Sequence, residues 1–89
     1  METKYLKINP DDNVIVAITD LKAGEIITVD NITIHLNEDV PAGHKVALKD
    51  FTEGENIIKY GYPIGHTLTA LKQGDWIKRK TSRPIWPVY

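Results

Sequence analysis

The sequence predicts an all-β domain, and three observations carry the prediction. Its apolar residues fall in short β-branched or alternating runs. No window keeps helical periodicity over the ~10 residues that a helix needs. One short motif built around a glycine recurs along the chain. At 89 residues the chain holds a single domain with a modest core. Its 42% apolar and 26% charged residues belong to a globular chain rather than a disordered one.

Val14-Ile15-Val16-Ala17-Ile18 is a β-branched run suited to a strand covered on both faces. Ile26-Ile27-Thr28-Val29 and Ile32-Thr33-Ile34-His35-Leu36 form the next two strands. The second alternates, with Ile32, Ile34 and Leu36 on one face and Thr33 and His35 on the other. Asp30-Asn31 between them fits a hairpin turn, although it lacks the usual glycine. Further strands fit Lys45–Leu48, Asn56–Tyr60 and Asp75–Lys78, and Pro41-Ala42-Gly43 and Gly61-Tyr62-Pro63 read as loops.

The recurring motif is the most informative feature. Ala17-Ile18-Thr19-Asp20-Leu21-Lys22-Ala23-Gly24-Glu25 matches Ala47-Leu48-Lys49-Asp50-Phe51-Thr52-Glu53-Gly54-Glu55, and Leu68–Asp75 repeats it more loosely around Gly74. The predicted device is a strand end, a one-turn helix capped by Asp20 or Asp50, an inward apolar residue and a left-handed glycine. The spacings between copies are too irregular for a solenoid. Three similar corners in a folded-over β structure are expected.

Composition removes several classes of function. No cysteine is present, which excludes disulfides, thiolate metal sites and cysteine nucleophiles, and favours a cytoplasmic setting. No apolar run approaches the ~20 residues of a membrane helix, and Met1-Glu2-Thr3-Lys4 does not open a signal peptide. A net charge of −1 lacks the basic excess of a nucleic-acid binder. The charge is divided, however. Residues 1–40 hold three cations against eight carboxylates, and residues 41–89 hold eight against four. The positive half either is a solvated face or meets an anionic ligand.

The candidate chemistry lies in that positive half. His44 follows Pro-Ala-Gly and precedes Lys45, and His66 follows Ile64-Gly65; spacing alone marks neither as functional. No histidines have metal-site spacing, so no metal is expected on this chain alone. Lys59-Tyr60-Gly61-Tyr62 places a cation and two phenols at a strand end, as a carboxylate holder or as a turn covering a small core. The glycines lack phosphate-loop spacing, and Ser82, the only serine, has no acyl-transfer setting. Residues 81–89 end the chain as a basic, aromatic tail after a domain over residues 1–80. Trp86 and Tyr89 there suit an arm laid on a partner or on a second copy in a homo-oligomer, or a mobile terminus.

Together, the Asp-x-x-x-Gly-Glu corners, Gly43-His44-Lys45-Val46-Ala47-Leu48-Lys49-Asp50, and Ile58-Lys59-Tyr60-Gly61 with Ile64-Gly65 resemble the SAF domain of the altronate/galactarate dehydratase family. They also resemble the small subunit of sulfolactate sulfo-lyase-type enzymes, over roughly residues 5–80. The resemblance implies a β-clip fold and a small accessory subunit whose site is completed by a larger catalytic dehydratase subunit. It implies elimination from an anionic, hydroxylated sugar-acid-like substrate, with a divalent metal such as iron in the partner. On this resemblance His44 is the catalytic candidate, and Lys45, Lys59, Tyr60 and His66 are substrate-binding candidates. Lys78 and Lys80 stand where the family typically carries a histidine pair. Lysine is protonated at neutral pH and does not replace imidazole on a metal, but it binds carboxylate, sulfonate or phosphate. The alternative is a stand-alone SAF-type binding module without catalytic activity.

Overall fold

The computed structural model describes residues 3–85. The expected arm at Trp86 and Tyr89 lies outside these residues. Nine short strands and no helix appear among them: β1 (Tyr5–Leu6), β2 (Val14–Ala17), β3 (Ile26–Val29), β4 (Ile32–His35), β5 (Lys45–Ala47), β6 (Asn56–Lys59), β7 (Tyr62–Thr67), β8 (Trp76–Ile77) and β9 (Ser82–Pro84). They form an antiparallel sheet in the order β1-β2-β5-β8, a β3–β4 hairpin, and a sheet in the order β6-β7-β9. The all-β expectation holds. No helix is long and apolar enough to cross a membrane.

The corners are not helical turns, which corrects that expectation. They are four-residue turns over 22–25, 41–44, 52–55 and 72–75, each closed by an N–H···O=C bond of 3.0–3.2 Å. Each has glycine in third place, with φ of 81–92° at Gly24, Gly43, Gly54 and Gly74. A positive φ at that place alone is the type II pattern, which needs no helical residue. The acid after glycine folds back onto the first N–H of its turn. Glu25 accepts from Lys22 at 3.1 Å, Glu55 from Thr52 at 2.9 Å and Asp75 from Lys72 at 2.8 Å.

The aspartates expected as helix caps serve the neighbouring corner instead. Asp20 accepts from Ala42 N–H at 2.9 Å and Asp50 from Gln73 N–H at 2.8 Å. Asp39, not expected as a cap, accepts from Ala23 N–H at 2.8 Å. Corners therefore dock in pairs, through the bridges Leu21↔Val40 and Phe51↔Leu71. The corner at Pro41–His44 was expected only as a loop. With it the molecule is two copies of one unit, each a strand, a corner, a hairpin and a second corner.

Two cores form, one under each hairpin, and β2 and β5 contribute to both. Ile15, Ile27, Ile34 and Val46 pack beneath β3–β4, and Val14, Ala47, Phe51, Ile57 and Ile77 pack beneath β6–β7. Neighbours Val14 and Ile15 enter different cores, so β2 is covered on both faces as its β-branched run predicts. At the β3–β4 tip Asp30 and Asn31 have φ of 51° and 66°, so the turn without glycine forms as type I′. At the β6–β7 tip the same turn falls on Tyr60 and Gly61, with φ of 59° and 76°. The loop expected at Gly61-Tyr62-Pro63 is therefore a tight turn followed directly by a strand. Pro63 faces Ile58 at a register shift, where a missing N–H is tolerated. Ser82–Pro84, in the segment expected as tail, adds a third strand against β7. Gly65 permits that approach, since a Cβ there would lie 2.3 Å from the Arg83 carbonyl oxygen.

Candidate functional site

The second copy opens into a groove of about 880 Å³ between the β5–β8 edge and the β6-β7-β9 sheet. Ile57, Ile64 and Ile77 give it an apolar floor. Six cations line it, Lys45, Lys59, Lys78, Arg79, Lys80 and Arg83, and none of its lining residues is a carboxylate.

Local structure explains how each side chain arrives there. Pro41 opens its corner without an N–H, so no acid is needed in fourth place, and His44 occupies it. His44 is exposed at the entry to β5, and its ring meets the Trp76 ring edge-on with centroids 5.2 Å apart. Lys45 follows, half-buried and level with Ile77 of β8. Burial, and secondarily repulsion from Lys59, lowers the Lys45 pKa from its ordinary value. Lys59 closes β6 with its ammonium 5.1 Å from the centre of the Tyr60 ring.

An N-terminal strap holds this tip in place. Buried Asp12 accepts from Gly61 N–H at 2.8 Å and from Asn9 N–H at 3.0 Å. Asn13 accepts from Ile58 N–H at 2.8 Å and donates to the Asn56 carbonyl at 3.0 Å. The three of these bonds that reach Asn56, Ile58 and Gly61 substitute for a neighbouring strand and hold the backbone on either side of Lys59 and Tyr60.

The opposite side is the turn from Lys78 to Thr81, closed by a 3.0 Å N–H···O=C bond and by the Thr81 hydroxyl. Lys78 is paired with Glu38, lies 4.9 Å from the Trp76 ring centre, and so brings little free charge. Glu38 also accepts from Trp76 N–H at 3.2 Å. Lys45, Lys59 and Lys80 make no ion pair among the described residues.

Six of the seven sequence candidates, His44, Lys45, Lys59, Tyr60, Lys78 and Lys80, thus line one groove. His66 does not. It sits on β7 opposite Asn56 and Arg83, outside the lining residues. Of the charged and aromatic lining residues, three were missed, namely Trp76, Arg79 and Arg83. The two arginines lay in a cluster assigned to the domain end and tail. Trp76 gave no sequence signal beyond an aromatic in a predicted strand, yet its Nε1 is buried without a hydrogen-bond partner among the described residues.

The fold and groove define a small duplicated β domain with a cationic, carboxylate-free cleft. Residues 3–83 match the family described as the altronate/galactarate dehydratase SAF domain. The chain belongs to that family, and the all-β architecture is consistent with its β-clip fold. Altronate dehydratase of Escherichia coli K12 is 45% identical over 80 residues, 90% of this chain and 16% of that protein. Galactarate dehydratase (L-threo-forming) of the same bacterium is 41% identical over 75 residues, 82% of this chain and 14% of that protein. The (2R)-sulfolactate sulfo-lyase subunit alpha of Chromohalobacter salexigens is 29% identical over 84 residues, 86% of this chain and 89% of that subunit. The chain therefore spans about one-sixth of the length of the dehydratases and most of the sulfo-lyase subunit.

Proposed function

We propose that this chain is the small SAF subunit of a sugar-acid hydro-lyase, whose groove binds an anionic substrate at a site completed by a larger catalytic subunit. The observation that carries this is the groove, with six cations and no carboxylate, in a chain of this family. The match to a named sulfo-lyase subunit of nearly the same extent supports a separate small subunit. Lys45 and Lys59 hold carboxylate oxygens, and the Tyr60 hydroxyl orients a substrate hydroxyl. His44, exposed at the rim, is the proton-transferring group. Lys80 adds charge. Lys78 serves mainly to hold Trp76 through Glu38, and His66 has no part.

The groove does not fit a divalent metal. His44 is the one imidazole in its lining, beside lysines and arginines, and no three His, Cys, Asp or Glu side chains gather among the described residues. A metal such as iron belongs, in this proposal, to the larger subunit, and no step is routed through it.

The test is affinity purification of the tagged full chain from its native cells. Recovery of a larger dehydratase-family chain, with dehydration of altronate or galactarate or desulfonation of sulfolactate by the complex, is the expected result. Recovery of this chain alone, together with acid binding, would favour the stand-alone binding module.

A further inference from the structure

Resting on the function above, we propose that Glu38 sets the groove's affinity for its anion, as a built-in competitor that holds Lys78 until a ligand displaces it. Lys45, Lys59 and Lys80 make no ion pair among the described residues, whereas Lys78 is paired with Glu38. Both side chains of that pair are about one-third exposed, so it is partly sheltered from solvent screening without being sealed off. Lys78 lines the groove and Glu38 does not. A ligand there meets the lysine and not the glutamate.

The fold does not call for an acid at this place. The bridges Leu21↔Val40 and Phe51↔Leu71 put Val40 and Leu71 at the same point of the two copies, so Glu38, two residues before Val40, corresponds to Thr69. Thr69 is exposed, and its side chain bonds to nothing among the described residues. The same corner therefore forms without a carboxylate. What Glu38 holds belongs to the groove instead. One oxygen meets the Lys78 ammonium, and the other accepts from Trp76 N–H at 3.2 Å. That ammonium lies 4.9 Å from the centre of the Trp76 ring, which His44 meets edge-on. An anion that takes Lys78 must break the contact with Glu38, so its net gain is the difference between two ion pairs. The second oxygen keeps its bond to Trp76, and the displaced carboxylate is not left without a donor.

Isothermal titration of the full chain with altronate and with sulfate, at low salt and neutral pH, tests this. Glu38→Gln keeps an oxygen for the Trp76 N–H and removes the charge that holds Lys78. It is expected to bind both anions about three- to tenfold more tightly than the unaltered chain. In a Lys78→Met background the same change is expected to alter affinity by less than about twofold. A Glu38 that only braces the fold predicts the opposite sign, weaker binding with a lowered melting midpoint. Unchanged or weaker binding by Glu38→Gln would overturn the inference and leave the proposed function standing. A gain that persists without Lys78 would overturn it too, because the loss of any nearby negative charge would then explain it. Circular dichroism checks folding, and Glu38→Thr, which copies the second copy's residue, replaces a glutamine variant that does not fold. Failure of both anions to bind any of these proteins would remove the inference together with the function beneath it.

Discussion

At the Pro41–His44 corner a histidine stands where the other three corners carry an acid. The acid elsewhere satisfies the first N–H of the turn, and proline has none to satisfy. One residue choice thus frees the next position but one after Ala42 for chemistry. The corner glycines differ in a way sequence does not show. A Cβ on Gly24 or Gly54 would meet open space, whereas one on Gly74 would lie 2.1 Å from the His35 carbonyl oxygen. Gly24→Ala and Gly54→Ala are expected to cost ~1 kcal/mol each through their left-handed backbone. Gly74→Ala should cost ~3 kcal/mol or more, since the backbone must also move, and urea denaturation ranks the three. Lys45 gives a pH signature. Its folded pKa lies below 10.5 because of burial and then Lys59. Between that lowered value and 10.5 the unfolded chain binds more protons, so stability rises with pH through that window; below it, the buried charge is a constant cost. Lys45→Met should raise the melting midpoint at neutral pH and flatten the alkaline rise. An unchanged profile would show that Lys45 is not desolvated.

Among the elements, the β6–β7 hairpin carries the groove's most strained feature. Tyr60 holds φ of 59°, a left-handed backbone that a bulky side chain seldom adopts. Type I′ geometry matches strand twist, and the Asn9–Asn13 strap pins the turn from outside. Asp12→Ala leaves two backbone N–H groups, on Asn9 and Gly61, without their acceptor, at a cost of ~1–3 kcal/mol. Hydrogen exchange should quicken most at Gly61. Protection lost evenly over both hairpins would instead mean that Asp12 supports the fold as a whole. The β3–β4 hairpin has the same turn but presents no comparable cation cluster, and this separates the two copies in role.

In the whole molecule, duplication doubles the scaffold while charge distinguishes its halves. Six of the eight cations in residues 41–89 line one groove. Anion affinity there should fall as salt rises, since an open groove is screened over ~8–10 Å at physiological ionic strength. The isolated chain is expected to show no measurable dehydration of altronate or galactarate, because the groove offers one histidine and no carboxylate base. Robust turnover by the pure chain would reject the accessory role proposed above.

Six of the nine strands (β2 to β6 and β8), the hairpin at Asp30-Asn31 and the gathering of charge in the second half were legible from alternation, β-branching and composition, because these are properties of neighbouring residues; β1, β7 and β9 were not. The family motif likewise lay in two short segments, around Gly43-His44-Lys45 and Lys59-Tyr60-Gly61. Other features depended on residues far apart in the chain. Asp20 meets Ala42 rather than its own turn, Glu38 takes up Lys78, and Ser82–Pro84 joins β7 because Gly65 leaves room for it. His66, adjacent to that same glycine, falls outside the groove that His44 enters. Local pattern governs which segments extend and turn. Which side chains share a cavity follows from how those segments pair across it, and pairing partners here lie up to 49 residues apart.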